Sequence, residues 1–148
     1  MKIIKRIICP VDMYDFQPEA AEYATTLAEA LGAKITVLYV MEPLPSQYYA
    51  EDGPIPPTFA EEEEAKRRAE AKMPEILSTF FNASVDKGIV VLGLAADQII
   101  RVAEESSADM IIMASHGRSA LGRVIHGSVT NKVLANTKIP VLVTKPAG

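Results

Sequence analysis

Met110-Ile111-Ile112-Met113-Ala114-Ser115-His116-Gly117, followed after nine residues by Gly127-Ser128-Val129-Thr130, is the stretch that decides the fold. Its first four residues are uniformly apolar, as a strand buried on both faces of a parallel sheet must be. Ser128-Val129-Thr130-Asn131-Lys132-Val133-Leu134 reads as the start of a helix over 128–135. A glycine followed by Ser or Thr at a helix start leaves several backbone N–H groups unpaired and aimed outward. Those donors and the positive end of the helix dipole make an anion site, and phosphate is the usual anion. Glycine suits the position because a phosphate must approach the backbone closely, where a Cβ would stand in the way. The stretch points to a nucleotide or phosphate binder.

Working outward, the same alternation recurs along the chain. Lys5 to Cys9 is short, apolar and β-branched, and Pro10 closes it, which predicts strand one. Asp15 is placed to cap the next helix, with Pro18 in its first turn, Ala20, Ala24, Leu27 and Leu31 at helical spacing, and Gly32 as the stop. Lys34 to Val40 predicts strand two. Residues 41–57 carry five prolines and little periodicity, which predicts a loop or a partly mobile lid. A long helix follows, opened by a Thr58/Glu61 capping box and carrying Glu62/Lys66, Glu63/Arg67 and Glu64/Arg68 pairs on a solvated face. Pro74 should kink or interrupt it. Gly88 to Leu92 predicts strand three, ended by Gly93. Ala96 to Ser106 predicts a helix with Ile99, Val102 and Ala103 inward, and Ile139 to Thr144 predicts strand five.

The order β-α-β-α-β-α-β-α-β implies an α/β, doubly wound five-stranded parallel sheet with helices on both faces, expected here in the order 3-2-1-4-5 as one domain over 1–148. In such sheets ligands bind beyond the C-terminal strand ends, where the winding reverses. Strands one and four flank that point, so Pro10-Val11-Asp12 and Ala114-Ser115-His116-Gly117 should meet at one crevice.

Bulk properties narrow the function classes. A net charge of −4 offers no basic footprint for nucleic acid or an acidic membrane. The one cysteine, Cys9, excludes an internal disulfide framework and fits a reducing, cytoplasmic setting; inside an apolar strand it should be an inert buried thiol. Neither a signal-peptide pattern nor a membrane-length apolar run stands in the sequence.

On these residues the chain resembles the universal stress protein family over nearly its whole length. The ATP-binding members of that family carry Gly-x-x-Gly, nine residues, then Gly-Ser or Gly-Thr after strand four; the matching positions are Ala114, Gly117, Gly127 and Ser128. Ser106 to Met113, Cys9-Pro10-Val11-Asp12 and Ile139 to Val143 are similar as well. The departure is Ala114 at the first glycine, harmless if the local φ is negative and strained by on the order of 1 kcal/mol or more if it is positive.

The resemblance implies a nucleotide site made of Pro10, Val11, Asp12, Val40, Met113, Ala114, His116, Gly117, Arg118, Gly127, Ser128, Val129 and Thr130. Asp12 and the backbone around Val40 would lie near base and ribose, while Gly117 and Gly127 to Thr130 would cradle phosphates with main-chain N–H groups and two hydroxyls. The bland readings are a turn role for Asp12, core packing for Val40, a helix cap for Ser128, a structural bond for His116 and solvated arginines at Arg118 and Arg123. His126 shows no partner in the sequence. The implied ligand is ATP, with magnesium carried by the phosphates. The implied assembly is a homodimer through strand five, at Ile139, Val141 and Val143.

Several signatures are missing from the sequence. There is no Gly-x-x-x-x-Gly-Lys-Ser/Thr loop, no Gly-x-Gly-x-x-Gly after strand one and no Gly-x-Ser-x-Gly elbow. Residues for fast phosphoryl transfer cannot be assembled, so slow hydrolysis is the most the site should do, and no catalytic residue is assigned. Two other classes stay open: a nucleotide hydrolase or nucleotidyl transferase using the same crevice, and a protein-interaction module with an empty crevice and 41–57 as its contact surface.

Overall fold

Among the described residues eleven elements follow one another: β1 (Arg6–Pro10), α1 (Pro18–Leu31), β2 (Lys34–Met41), β3 (Tyr48–Ala50), β4 (Gly53–Ile55), α2 (Phe59–Phe80), β5 (Val85–Leu92), α3 (Ala95–Glu105), β6 (Met110–Ala114), α4 (Ser128–Asn136) and β7 (Val141–Thr144). The structure is a computed structural model, and it describes residues 1–115 and 127–146. His116, Gly117, Arg118, Arg123 and His126 therefore lie outside the described residues.

Five strands form a parallel sheet in the order β5-β2-β1-β6-β7, which is the expected 3-2-1-4-5. Alternation across the pleat divides the core in two. On one face Ile7, Cys9, Ile35, Val37, Tyr39 and Ile112 pack beneath α1 and α2. On the other, Ile8, Leu38, Ile111 and Met113 pack beneath α3 and α4. The central strands are apolar on both faces because both are covered, and each buried Ile or Leu contributes about 1.5–3 kcal/mol. Alanines at 20, 21, 24 and 28 form the buried stripe of α1, and Ala69, Met73 and Ile76 that of α2. Ile99, Val102 and Ala103 are buried on α3 as expected.

Several local expectations are corrected. The 41–57 segment holds an antiparallel hairpin, with Tyr48 opposite Ile55 and Ala50 opposite Gly53 across the Glu51-Asp52 turn. Three-residue strands are too short to show alternation in sequence. The N-cap of α1 is Gln17 rather than Asp15, and it makes no side-chain cap bond; Pro18 does occupy the first turn. Of the residues at helical spacing, Ala20 and Ala24 are buried while Leu31 is exposed at the helix end. Pro74 does not interrupt α2, which runs through it. A proline removes one helical donor, and both Pro74 and Glu70, four residues before it, lie on the exposed side of the helix. The Thr58/Glu61 capping box forms as read. The helix ion pairs do not: Glu64 binds Arg67 at 2.6 Å and Lys66 meets Glu70 at 3.8 Å. Ile139 and Pro140 precede β7 instead of lying in it.

The N-terminal ends of the strands are clamped by one carboxylate. Asp109 Oδ2 accepts from the N–H groups of Lys5 at 2.8 Å and Arg6 at 3.0 Å, and the Arg6 guanidinium donates to the Ser106 carbonyl at 2.8 Å. That clamp leaves the opposite, C-terminal ends of the strands to form the crevice.

Candidate functional site

β1 ends at Pro10, and the next residue still belongs to the sheet: the Val11 N–H donates to the Leu38 carbonyl at 2.8 Å. The chain then turns away. Asp12 Oδ1 accepts from the Tyr14 N–H at 2.9 Å, so the turn role considered for Asp12 is realised through one of its two oxygens. β2 runs on past the end of β1. Leu38 faces β1, while Met41 faces β5 and accepts from the Gly93 N–H at 3.0 Å. By strand parity the Val40 N–H and C=O point to the β1 side, beyond the last β1 residue, and so open into the crevice. The Val40 side chain packs against the core under α3 and α4, leaving its backbone for other partners.

Across the crevice, β6 ends at Ala114. This residue is paired with Thr144 in the sheet, and among the described non-glycine residues Ser107 alone has a positive φ. The first position of the motif is thus ordinary strand backbone, where alanine carries no strain. The Gly127 N–H donates to the Ser115 carbonyl at 2.8 Å, tying the two ends of the intervening excursion together. Thr130 Oγ1 lies 3.1 Å from both the Ala114 and Ser115 carbonyls and donates between them.

These bonds decide which groups at the start of α4 are available to an anion. The Thr130 hydroxyl is buried and donates to the carbonyls at the end of β6, and the Gly127 N–H is already used. Ser128 is the first helical residue, while Gly127 is the N-cap. What remains is the N–H groups of Ser128, Val129 and Thr130, with no acceptor among the described residues, and the exposed Ser128 hydroxyl. Each of the other three helices carries an acidic residue in its first turn, and α4 carries none. No carboxylate of its own first turn offsets its positive end.

Both sides meet in one cavity of about 990 Å³. Pro10, Val11, Asp12 and Val40 line it from β1 and β2, and Met113, Ala114, Gly127, Ser128, Val129 and Thr130 line it from β6 and the start of α4. Every expected site residue that the structure describes is on this wall. Further lining comes from Tyr14, Glu42, Leu44 and Pro45, and from Arg68 on α2. The sequence reading missed these. Arg68 had been read as the ion-pair partner of Glu64, and nothing local signals that α2 borders the crevice.

The electrostatics are uneven along the cavity. Asp12, Asp15 and Glu42 stand in its wall, with Arg68 as the one cationic side chain among the described lining residues. Burial, followed by the charges of Asp12, Tyr14 and Glu42, pushes the Tyr39 phenol up to about 12, so it stays protonated. Tyr14 meets Tyr39 edge-on at 6.0 Å, and Lys72 Nζ lies 4.9 Å from the centre of the Tyr14 ring. Burial alone pushes the Cys9 thiol up to about 12, in keeping with an inert core residue. Among the described residues no cluster of His, Cys, Asp and Glu is placed to hold a metal ion. No helix among them is long and apolar enough to cross a membrane.

Comparison with known proteins places this architecture. The model of the universal stress protein family matches residues 4–145. A universal stress protein of Methanocaldococcus jannaschii is 30% identical over 146 residues, spanning 97% of this chain and 83% of the relative. Among solved structures, the hypothetical protein MJ0577 superposes with a TM-score of 0.75 at 22% identity over 99% of both chains. A universal stress protein in complex with cAMP superposes with a TM-score of 0.59 at 22% identity, covering 99% of this chain and 100% of that one.

Proposed function

The chain belongs to the universal stress protein family, and from that premise we propose that it binds an adenine nucleotide, ATP, in the crevice between β1 and β6 and acts as a stress-response signalling or regulatory protein. The observation that carries the reading is the presence, in the wall of one cavity, of two sets of free main-chain groups: those of Val40 on β2, and the N–H groups of Ser128 to Thr130 at the start of α4. A base needs donors and acceptors on a fixed edge, and a phosphate needs several N–H groups at a helix start. The second oxygen of Asp12 is placed to accept from an amino or ribose hydroxyl group. Magnesium would ride on the phosphates, as hard cations do with nucleotides. A structural relative bound to cAMP supports the adenine class.

The same reading includes a two-fold dimer through β7. The Ile111 N–H bonds to the Pro140 carbonyl and the Ser115 N–H to the Thr144 carbonyl. Even-numbered residues therefore face β6, and Val141 and Val143 present their N–H and C=O groups to the open edge. An apolar edge of this kind invites pairing with a second copy.

The test of the ligand is direct. Purified protein is denatured, and the released small molecules are identified by mass spectrometry, alongside equilibrium dialysis with ATP, AMP and adenosine. The reading expects adenine nucleotide in the released fraction or saturable uptake of ATP. Neither result would leave the exposed aromatic hairpin, with Tyr48 at 64% and Tyr49 at 74% exposure, as the better guide to function.

A further inference from the structure

We infer that Arg68 is a base-stacking positioning residue at the end of the crevice remote from α4. This rests on the adenine-nucleotide reading. Glu64, the acid one turn before Arg68, is engaged by Arg67 at 2.6 Å. Arg68 itself is exposed and forms no hydrogen bond or ion pair among the described residues, although it borders the crevice and a second cavity of about 370 Å³ beside it. A guanidinium left without a carboxylate on a cavity wall is free to engage a ligand.

Position in the sheet decides which part of the ligand it meets. α2 packs over the β5 side, where the Met73 side chain covers Gly88. The free N–H groups of α4 follow β6, and β1 lies between β6 and β2. Two strand spacings, about 10 Å, separate β2 from β6, so the phosphate end is on the far side of β1 from Arg68. On the crevice side Leu44, Pro45 and Ala65 give an apolar wall, while Gln47, Glu61 and Glu64 line the second cavity on the other side of Arg68. Tyr14, the aromatic side chain nearest in the chain to Asp12, already has Lys72 over its ring. A planar cation over an apolar wall fits the face of a heteroaromatic ring, which Arg stacks upon and Lys does not match in shape.

The test is calorimetric titration of wild type, Arg68→Ala, Arg68→Gln and Arg68→Lys with ATP, AMP and adenosine, with melting of the unliganded proteins as a fold control. Stacking predicts that Arg68→Ala and Arg68→Gln weaken all three ligands by the same factor, about fivefold or ~1 kcal/mol, and that lysine does not rescue. A loss that grows with the number of phosphates assigns Arg68 to charge screening and overturns the inference. Full rescue by lysine, or unchanged affinity in Arg68→Ala, overturns it as well while leaving the nucleotide site standing. A wild type that binds none of the three defeats the underlying reading, and this inference with it.

Discussion

Ala114 shows how one residue can be judged only once its backbone is known. The sequence left two outcomes open, because alanine at a glycine position costs stability when φ is positive and adds it when φ is negative. Ala114 is a paired strand residue, so the second case holds. Ala114→Gly should lower stability by about 0.4–1 kcal/mol through the added entropy of the unfolded chain, with no gain in ATP affinity; denaturant unfolding with and without ATP reads both. Asp109 permits a prediction with a pH signature. Its carboxyl is held below the ordinary value of 3.8 by the Lys5 N–H first, and by the Arg6 N–H and the charges of Lys2 and Arg6, against a desolvation that raises it. The folded state therefore favours the charged form. Its contribution is present above the ordinary carboxylate range and is lost as pH falls through and below that range. Asp109→Asn should melt lower than wild type at neutral pH, and the gap should close under acid, with ligand affinity unchanged because the clamp sits at the far end of the strands.

At the scale of elements, what was legible follows from what a local pattern can encode. β1, β2 and β6 stand out because central parallel strands are buried on both faces and so read as unbroken apolar runs. The capping box of α2 was legible because both its bonds lie within four residues. The β3–β4 hairpin was not, since three-residue strands set among prolines have no period to detect. Two features of the site depended on tertiary placement. The Thr130 hydroxyl suits a phosphate in sequence, yet Ser115 and Ala114 arrive from β6 and take it. Glu64 was expected to pair with Arg68, four residues on; it pairs with Arg67 instead, which leaves Arg68 without a carboxylate among the described residues.

For the whole molecule, the topology carries the functional argument. Winding outward from β1 in one direction and from β6 in the other leaves a gap at the C-terminal strand ends; alternating elements and right-handed crossovers made the parallel doubly wound sheet readable, while the order 3-2-1-4-5 was an expectation that the strand pairing bears out. The open β7 edge belongs to the same scale. Val141→Lys with Val143→Lys sets like charges against each other across a two-fold pair and should give a monomer by light scattering where wild type is dimeric. A wild-type monomer at micromolar concentration, or a dimeric double variant, would reject that interface. The central claim, a nucleotide crevice whose phosphates rest on the start of α4, is tested most directly by calorimetric titration of wild type and Gly127→Val with ATP. A branched side chain at the N-cap stands where the phosphate approaches, so the account predicts saturable one-to-one binding by wild type and at least a tenfold loss, about 1.4 kcal/mol, in the variant. Equal affinities, or no heat of binding from wild type, would contradict it.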